Sequence, residues 1–398
     1  MQNSRHQIVI ALTVVFTILQ LIILIIFGYT PYPDSDSYIL LAEECIKEND
    51  IYPIATKLNF YPFLWNIGSI NAVVLSLKIF RSVIPLLITY CIMKGATVWF
   101  LYHITNKMTN EQIAFITLLL YVLYPANYGE GTSTLSELPF MFFIMLGLWL
   151  CISKKCFFFG GISMAFANWF RPMGIVFLLA ITAYLLYTNR KKLFLPLAGY
   201  VSMVIIIGSL STFRTGLFLY QAKTGWMALT DYSTQHEAKS IAVRDNDQLN
   251  VSQKDAVWQT LFFDWLKEHP AEYIYQMPRK LVNTYVSDNV NMCTFIPNKS
   301  EKEYMYEEVS MAKLIYSFPR FSGVQWLAFV NLVFYYLLLL TASLSLIYYR
   351  SNTHLLSVSI IILGTLILLL VGHGEARFHI PFIPLIIILS ALFINRRI

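Results

Sequence analysis

Charge is what this 398-residue chain has least of. Asp, Glu, Lys and Arg together make up 13% of it, roughly half the share found in a typical soluble domain. Hydrophobic residues reach 57%, aromatics 16%, and mean hydropathy is +0.58. A chain so poor in charge is not intrinsically disordered. Gly 17 and Pro 15, with no low-complexity tract, exclude a collagen-like or Gly/Pro-rich repeat. Cysteine is scarce as well. Five are present, without a C-x-x-C or a His/Cys cluster that would suggest zinc, so a small disulfide-stapled fold is excluded. Cys45 and Cys293 fall in stretches read as extramembrane and are a candidate pair. The formal charge of +6 is not gathered into a dense basic run, and no nucleic-acid partner is expected. No internal repeat relates the two halves. What is there, long Leu-, Ile- and Phe-rich runs without strict alternation, points to an all-α polytopic membrane protein rather than a β-barrel.

Ten apolar stretches are expected to span or enter the membrane: 7–28, 82–104, 112–127, 135–152, 157–170, 173–188, 193–212, 324–349, 355–371 and 378–394. The first has about 20 apolar positions, enough for a ~30 Å core. It is too long for a signal-peptide core and no A-x-A site follows, so a retained helix is expected. Stretches 157–170 and 173–188 are short and flank Pro172, which reads as a tight hairpin or a broken helix. With the N-terminus in the cytoplasm, Arg5, Lys107, Lys154, Lys155, Arg190, Lys191, Lys192, Arg350, Arg396 and Arg397 all fall inside. Acids fall outside: Glu130, Glu137 and Glu375. That alternation follows the positive-inside rule and places both termini in the cytoplasm. Arg171 and Arg377 break it.

The chain then divides into a transmembrane module at 1–212, a large external segment at 213–323 and C-terminal membrane helices at 324–398. The first module includes an external loop at 29–81. The external segment is too polar to span and too long to be an idle connection. It is expected to carry amphipathic helices at 253–268 and 271–285. Their aromatic residues (Trp258, Phe262, Phe263, Trp265, Tyr273, Tyr275) suit either a membrane interface or a small packed subdomain.

An ionised side chain at the bilayer centre costs about 2.5–3.5 kcal/mol on insertion scales, so the scarce membrane-edge charges are the functional candidates. Asp34 and Asp36 follow the first span in Pro31-Tyr32-Pro33-Asp34-Ser35-Asp36-Ser37-Tyr38. Ser35, Asp36 or Ser37 can cap the helix starting there. The sharper reading makes one acid a general base, with a metal contact from the second. Asp34 and Tyr38 are four apart and share a face. Glu137 opens the fourth span, where the helix dipole also favours an acid. Arg171 stands in Asn168-Trp169-Phe170-Arg171-Pro172. His373, Glu375, Arg377 and His379 crowd one turn before the last span. Lys280 lies in the large external segment, where a solvated basic turn is the plainer reading. Lys94 sits alone in mid-span, with no partner assigned. Carboxylates deprotonate hydroxyls, Arg and Lys hold phosphates, and apolar helices hold an isoprenoid. The combination fits group transfer from a lipid phosphate.

In this order the residues resemble the GT-C-type glycosyltransferases, the polytopic enzymes that use polyprenyl-phosphate sugars. The likeness is to the bacterial relatives of protein mannosyltransferases and lipid A aminoarabinose transferases. Asp34, Tyr38 and Ala42 match an acid–Tyr–Ala series at four-residue spacing. Tyr61-Pro62, Pro125, Ser136-Glu137, Arg171-Pro172, His269-Pro270 with Lys280, and Arg377-Phe378-His379-Ile380-Pro381 follow. The match is ordered over 1–210 and scattered beyond it. Where that family often has Asp-Glu, this chain has Asp34-Ser35.

The resemblance implies an inverting transferase of the bacterial cytoplasmic membrane, with its active site on the outer face. It would take a polyprenyl-phosphate sugar, such as an undecaprenyl-phosphate one, and a glycan, lipid or protein acceptor. Asp34 would be the base, and Asp36 would orient a substrate or touch a metal. Arg171, Lys280 and Arg377 would hold the donor phosphate. Tyr38, Glu137, Glu375 and His379 would position substrates. No cofactor is called for outright, and a divalent metal at Asp36 is left open. Two other classes use the same charges. One is a flippase or transporter of lipid-linked sugar, whose charges should reach mid-bilayer as Lys94 does. The other is a polysaccharide polymerase or non-catalytic membrane subunit.

Overall fold

The computed structural model describes residues 2–51, 66–223, 225–233, 237–246, 248–296, 310–317, 321–348, 352–371 and 374–395. Tyr61-Pro62, His373, Arg350, Arg396 and Arg397 lie outside them. Among the described residues there are helices and no strands. The first half comprises α1 (Gln2–Phe27), α2 (Pro33–Lys47), α3 (Ile67–Phe80), α4 (Ile84–Met108), α5 (Glu111–Leu123), α6 (Glu137–Ile152), α7 (Phe157–Phe170), α8 (Gly174–Thr188) and α9 (Phe194–Thr215). Then come α10 (Gly225–Ser233), α11 (Glu237–Arg244), α12 (Val251–Glu268), α13 (Pro270–Tyr285), α14 (Met311–Ser317), α15 (Gly323–Tyr348), α16 (Asn352–Val371) and α17 (Ile383–Asn395).

Among the described residues, five segments are long and apolar enough to cross a membrane: Arg5–Phe27, Ile84–Met108, Arg190–Thr215, Gly323–Tyr348 and Ala376–Asn395. A sixth is broken, with Pro125–Thr132 meeting Glu137–Ile152 at 112°. Five shorter apolar helices accompany them, among them α7 and α8. Their length and composition are those of a membrane protein. The expected single span at 112–127 is not one continuous helix. Helix α5 stops at Leu123, Pro125 opens a 3-10 turn, and a second turn follows at Glu130–Thr132. Proline lacks the N–H that would continue the helix.

Burial follows composition. Helix α17 is buried on every side from Ile383 to Leu392 and packs between α5 and α15, as a helix apolar all round its circumference should. Helix α1 instead leaves Ile18, Ile22, Ile25 and Ile26 exposed, a face suited to lipid. Helices α7 and α9 touch backbone to backbone. A methyl group on Gly161 would sit 1.9 Å from the Pro196 carbonyl oxygen, and one on Gly199 1.9 Å from that of Phe158. Small residues permit such crossings in membranes. Gly161→Ala and Gly199→Ala are each expected to destabilise the protein by about 1–3 kcal/mol, the usual cost of overpacking. Thermal unfolding of the detergent-solubilised protein measures this, and an unchanged midpoint would refute the close crossing.

The stretch 29–81, read as an external loop, holds two packed helices. Tyr38, Leu41, Ala42 and Cys45 of α2 are buried against Ile70, Val73 and Val74 of α3. Fourteen residues of α3 extend about 21 Å, short of a bilayer core. Helices α12 and α13 stand almost where amphipathic periodicity puts them, and Asn250 and Gln253 form a capping box at the start of α12. Phe262, Trp265 and Tyr273 pack together with Leu229, and Trp258 packs with Ile67, Leu219 and Val251. Those four aromatics are therefore packed inside the protein, in two clusters of which one includes Ile67 of α3, while Phe263 and Tyr275 are exposed. Cys45 and Cys293 are both free and buried, in separate clusters.

Candidate functional site

The site begins where α1 ends. The chain past Gly28 is tied down twice: the Thr30 N–H donates to the Thr132 carbonyl at 2.8 Å, and the Tyr32 hydroxyl to the Val290 carbonyl at 2.8 Å. Pro33 then opens α2, a position where a missing N–H costs nothing. Asp34 and Asp36 both lie in the first turn. Residues two apart on a helix face different ways, whereas residues four apart share a face. Asp34 and Tyr38 accordingly turn inward and Asp36 turns out to solvent.

Through Arg377, Asp34 joins a cluster drawn from three other parts of the chain. The Arg377 guanidinium donates to its Oδ2 at 2.5 Å. The Arg377 Nε lies 2.8 Å from Glu375 and 3.9 Å from Glu137. Glu137 forms a buried ion pair with Arg171, whose Nη1 also reaches the Ser136 hydroxyl at 3.5 Å. The Phe378 ring lies under both cations, 4.9 Å from the Arg171 guanidinium carbon and 5.9 Å from that of Arg377. The α7–α8 turn that presents Arg171 is held by Asn168, whose Oδ1 accepts from the Gly174 N–H at 3.1 Å. At the back of the site, Asn66 donates to the Tyr38 hydroxyl at 2.9 Å and to Ser136 at 3.1 Å. Three carboxylates thus surround two guanidiniums.

Burial is the largest influence on Asp34 and raises its pKa. Arg377 opposes that rise, while Glu137 and Glu375 add to it, and the outcome is upward. Burial, reinforced by the negative charge of Asp34 and Glu137, likewise holds the Tyr38 phenol neutral. Tyr29, whose hydroxyl donates to Asp36 at 3.4 Å, is pushed up to about 12, chiefly by burial.

Asp34, Tyr38, Glu137, Arg171, Glu375 and Arg377 therefore come together. Asp36 does not join them: it is exposed, on the other side of the α2 turn. Among the described residues no group of three or more His, Cys, Asp or Glu is arranged to hold a metal ion. Among those residues Asp36 therefore lacks the donor set that a metal would need. Lys280 is buried on α13, its ammonium 5.2 Å from the centre of the Tyr273 ring. Its backbone abuts Gly374, where a methyl group would lie 2.5 Å from the Lys280 carbonyl oxygen and where φ is +75°. Only glycine fits both demands there, and the contact sets Glu375, the next residue. Burial lowers the Lys280 pKa to about 8. His379 is stacked between Tyr285 and Tyr335, its Nδ1 2.7 Å from the Thr284 carbonyl and its Nε2 3.2 Å from Asp288. It anchors the Ala376–Phe382 turn rather than facing the carboxylate cluster.

Lys94 has a partner after all. It forms a buried ion pair with Glu130 and donates to the Asn127 side chain at 2.9 Å. Asn66 and Phe378 belong to the site as well, beyond the residues that the sequence points to. Asn66 carries a legible signal, an Asn directly before an apolar run. Phe378 is the aromatic of the Arg-aromatic-x-x-Pro series that opens the last span, with no role of its own attached to it by the sequence. No family model matches the chain, and no curated protein or solved structure is significantly similar to it.

Proposed function

We propose that the protein is a GT-C-like inverting glycosyltransferase that moves a sugar from a polyprenyl phosphate to an acceptor hydroxyl at the outer face of a bacterial cytoplasmic membrane. The observation that carries this reading is the Asp34–Arg377 contact, set among Glu137, Glu375 and Arg171 at the ends of apolar helices. It supplies a base and phosphate-binding cations side by side. A donor phosphate approaching Arg377 competes with Asp34 for the guanidinium and releases the carboxylate. Burial then makes the freed carboxylate the stronger base, because a higher pKa improves proton abstraction. The acceptor oxygen bonds to the anomeric carbon as the bond from that carbon to the phosphate oxygen breaks. The hydroxyl proton passes to Asp34. The departing phosphate takes the electron pair, and Arg377 and Arg171 stabilise the charge growing on it. Glu137 and Glu375 hold the two guanidiniums in place, and Tyr38, kept neutral, is a hydrogen-bond donor to the sugar. A ten-span topology with both termini in the cytoplasm belongs to the same reading.

The test is to incubate the purified protein with labelled polyprenyl-phosphate sugars and follow donor consumption and product by mass spectrometry. Consumption of one donor supports the reading. A flippase would instead move lipid-linked sugar across liposomes without forming product.

Lys280 gives this reading a pH signature. Its ammonium is present below about pH 8 and lost above it. Folding lowers this pKa, so the unfolded chain binds the extra proton between about 8 and the ordinary lysine value near 10.4, and stability rises with pH across that window. Donor binding is expected to move the opposite way, with KM for the donor rising above about pH 8. Lys280→Arg keeps its charge and should shift that rise to higher pH. A KM profile identical in parent and variant would remove Lys280 from the phosphate site.

A further inference from the structure

A cavity of about 300 Å³ opens at the opposite end of α6 from Glu137, lined by Trp99, His103, Asn106, Lys107, Trp149, Ser153 and Lys154. The 16 residues of α6 put roughly 24 Å between it and the carboxylate cluster. Its chemistry differs from that of the first site. No acid is among the lining residues, and two lysines, a histidine, an asparagine and a serine supply donors. The walls are fixed. The Lys154 ammonium lies 5.1 Å from the centre of the Trp149 ring, and Trp99 meets His103 edge-on at 4.3 Å. The Ser153 hydroxyl donates to the His103 carbonyl at 3.2 Å, fastening the end of α6 to α4. Both helices end here, and the carbonyls of a helix's last turn offer an anion no donor. An anion must therefore be held by side chains, and Lys107 and Lys154 are placed for it. The volume is at the small end of ligand sites, enough for a headgroup but not for a whole lipid. Indole rings favour the headgroup level of a bilayer, and basic pockets between membrane helices suit phosphate headgroups.

We propose that this cavity binds the phosphate of an anionic phospholipid, with Lys107 and Lys154 on the phosphate and Trp99 and Trp149 against the glycerol region. The site is independent of the glycosyltransferase reading. The test uses the full chain in phosphatidylcholine nanodiscs, titrated with phosphatidylglycerol brominated near the top of its acyl chains, and reads tryptophan fluorescence. Saturable quenching is expected, and it should be reduced in Trp99→Phe/Trp149→Phe. Lys107→Gln/Lys154→Gln should raise the half-saturating lipid fraction by roughly 30-fold, the effect of two surface-level cationic contacts. Lys107→Arg/Lys154→Arg keeps both charges and should bind nearly as the parent does, which makes the test hold even if the glutamine variant folds poorly. Brominated phosphatidylcholine quenching equally well would overturn the proposal, as would binding by the glutamine variant at parental strength or loss of binding in the arginine variant. Displacement of the quencher by inorganic phosphate would overturn the lipid assignment in favour of a soluble phosphate.

Discussion

Asp34→Asn is expected to lower sugar transfer by about 10²–10⁴-fold, the usual contribution of a general base, and to leave the protein folded. The two halves of that expectation have separate causes. Asparagine keeps the shape of the side chain but cannot take the acceptor proton. Arg377 loses one carboxylate and keeps Glu375 at 2.8 Å and Glu137 at 3.9 Å, so the cation is not stranded. Burial raises the Asp34 pKa, so the ionised carboxylate is less favourable in the fold than in water. By linkage, this carboxylate detracts from stability above its ordinary pKa rather than adding to it. A neutral amide of the same size removes that strain. The thermal midpoint of the variant should therefore match or slightly exceed that of the parent at neutral pH. The parent should also lose activity as pH falls through the raised Asp34 pKa. Single-turnover transfer assays on both proteins, with unfolding curves alongside, check each half. Near-normal transfer by the asparagine variant would remove Asp34 as the base.

How much of this could be read from the sequence depends on the scale of each feature. Helices α12 and α13 follow from apolar residues recurring every three to four positions, bounded by a capping residue and a proline. The carboxylate and guanidinium cluster was approachable because charge is so scarce. Asp34, Glu137, Arg171, Glu375 and Arg377 each stand at the end of an apolar run on one expected side of the membrane, and helix ends on one side are near one another. The pairing of Arg377 with Glu375, two residues away, was legible from the sequence, whereas its contact with Asp34 from the other end of the chain was not. Asp36 shows where spacing misleads: two acids in one turn look like a pair, yet the 100° step between residues sends them apart. The α3 helix escaped because its 14 residues fall below span length. The 112° bend before α6 escaped because Pro125 marks where α5 must stop but not where the chain then turns.

Lys94→Met is expected to cost about 3–5 kcal/mol of stability, the effect of removing one member of a buried ion pair, and Glu130→Gln in the same chain should restore most of it. Lys94, in α4, and Glu130, in the turn before α6, are both buried. Without the ammonium, the Glu130 carboxylate keeps one charge and the Asn291 amide at 3.2 Å, too little to offset the loss of water. Two neutral groups of similar shape carry no such penalty, which is why replacing both members is often close to neutral. Unfolding of the parent, both single variants and the double variant closes a double-mutant cycle. A double variant no more stable than Lys94→Met would refute the coupling. The consequence reaches the candidate site because the pair joins segments far apart in the chain. Asn127 accepts from Lys94 through its side chain and from Gln20 of α1 through its carbonyl at 3.0 Å. Asn291 belongs to the turn whose Val290 carbonyl receives the Tyr32 hydroxyl, two residues before Asp34. Hydrogen exchange should therefore quicken in Val290–Phe295 and at the start of α2 in Lys94→Met and return toward parental rates in the double variant. Faster exchange confined to the Pro125–Thr132 turns would mean that the pair secures the broken span alone and leaves Asp34 untouched.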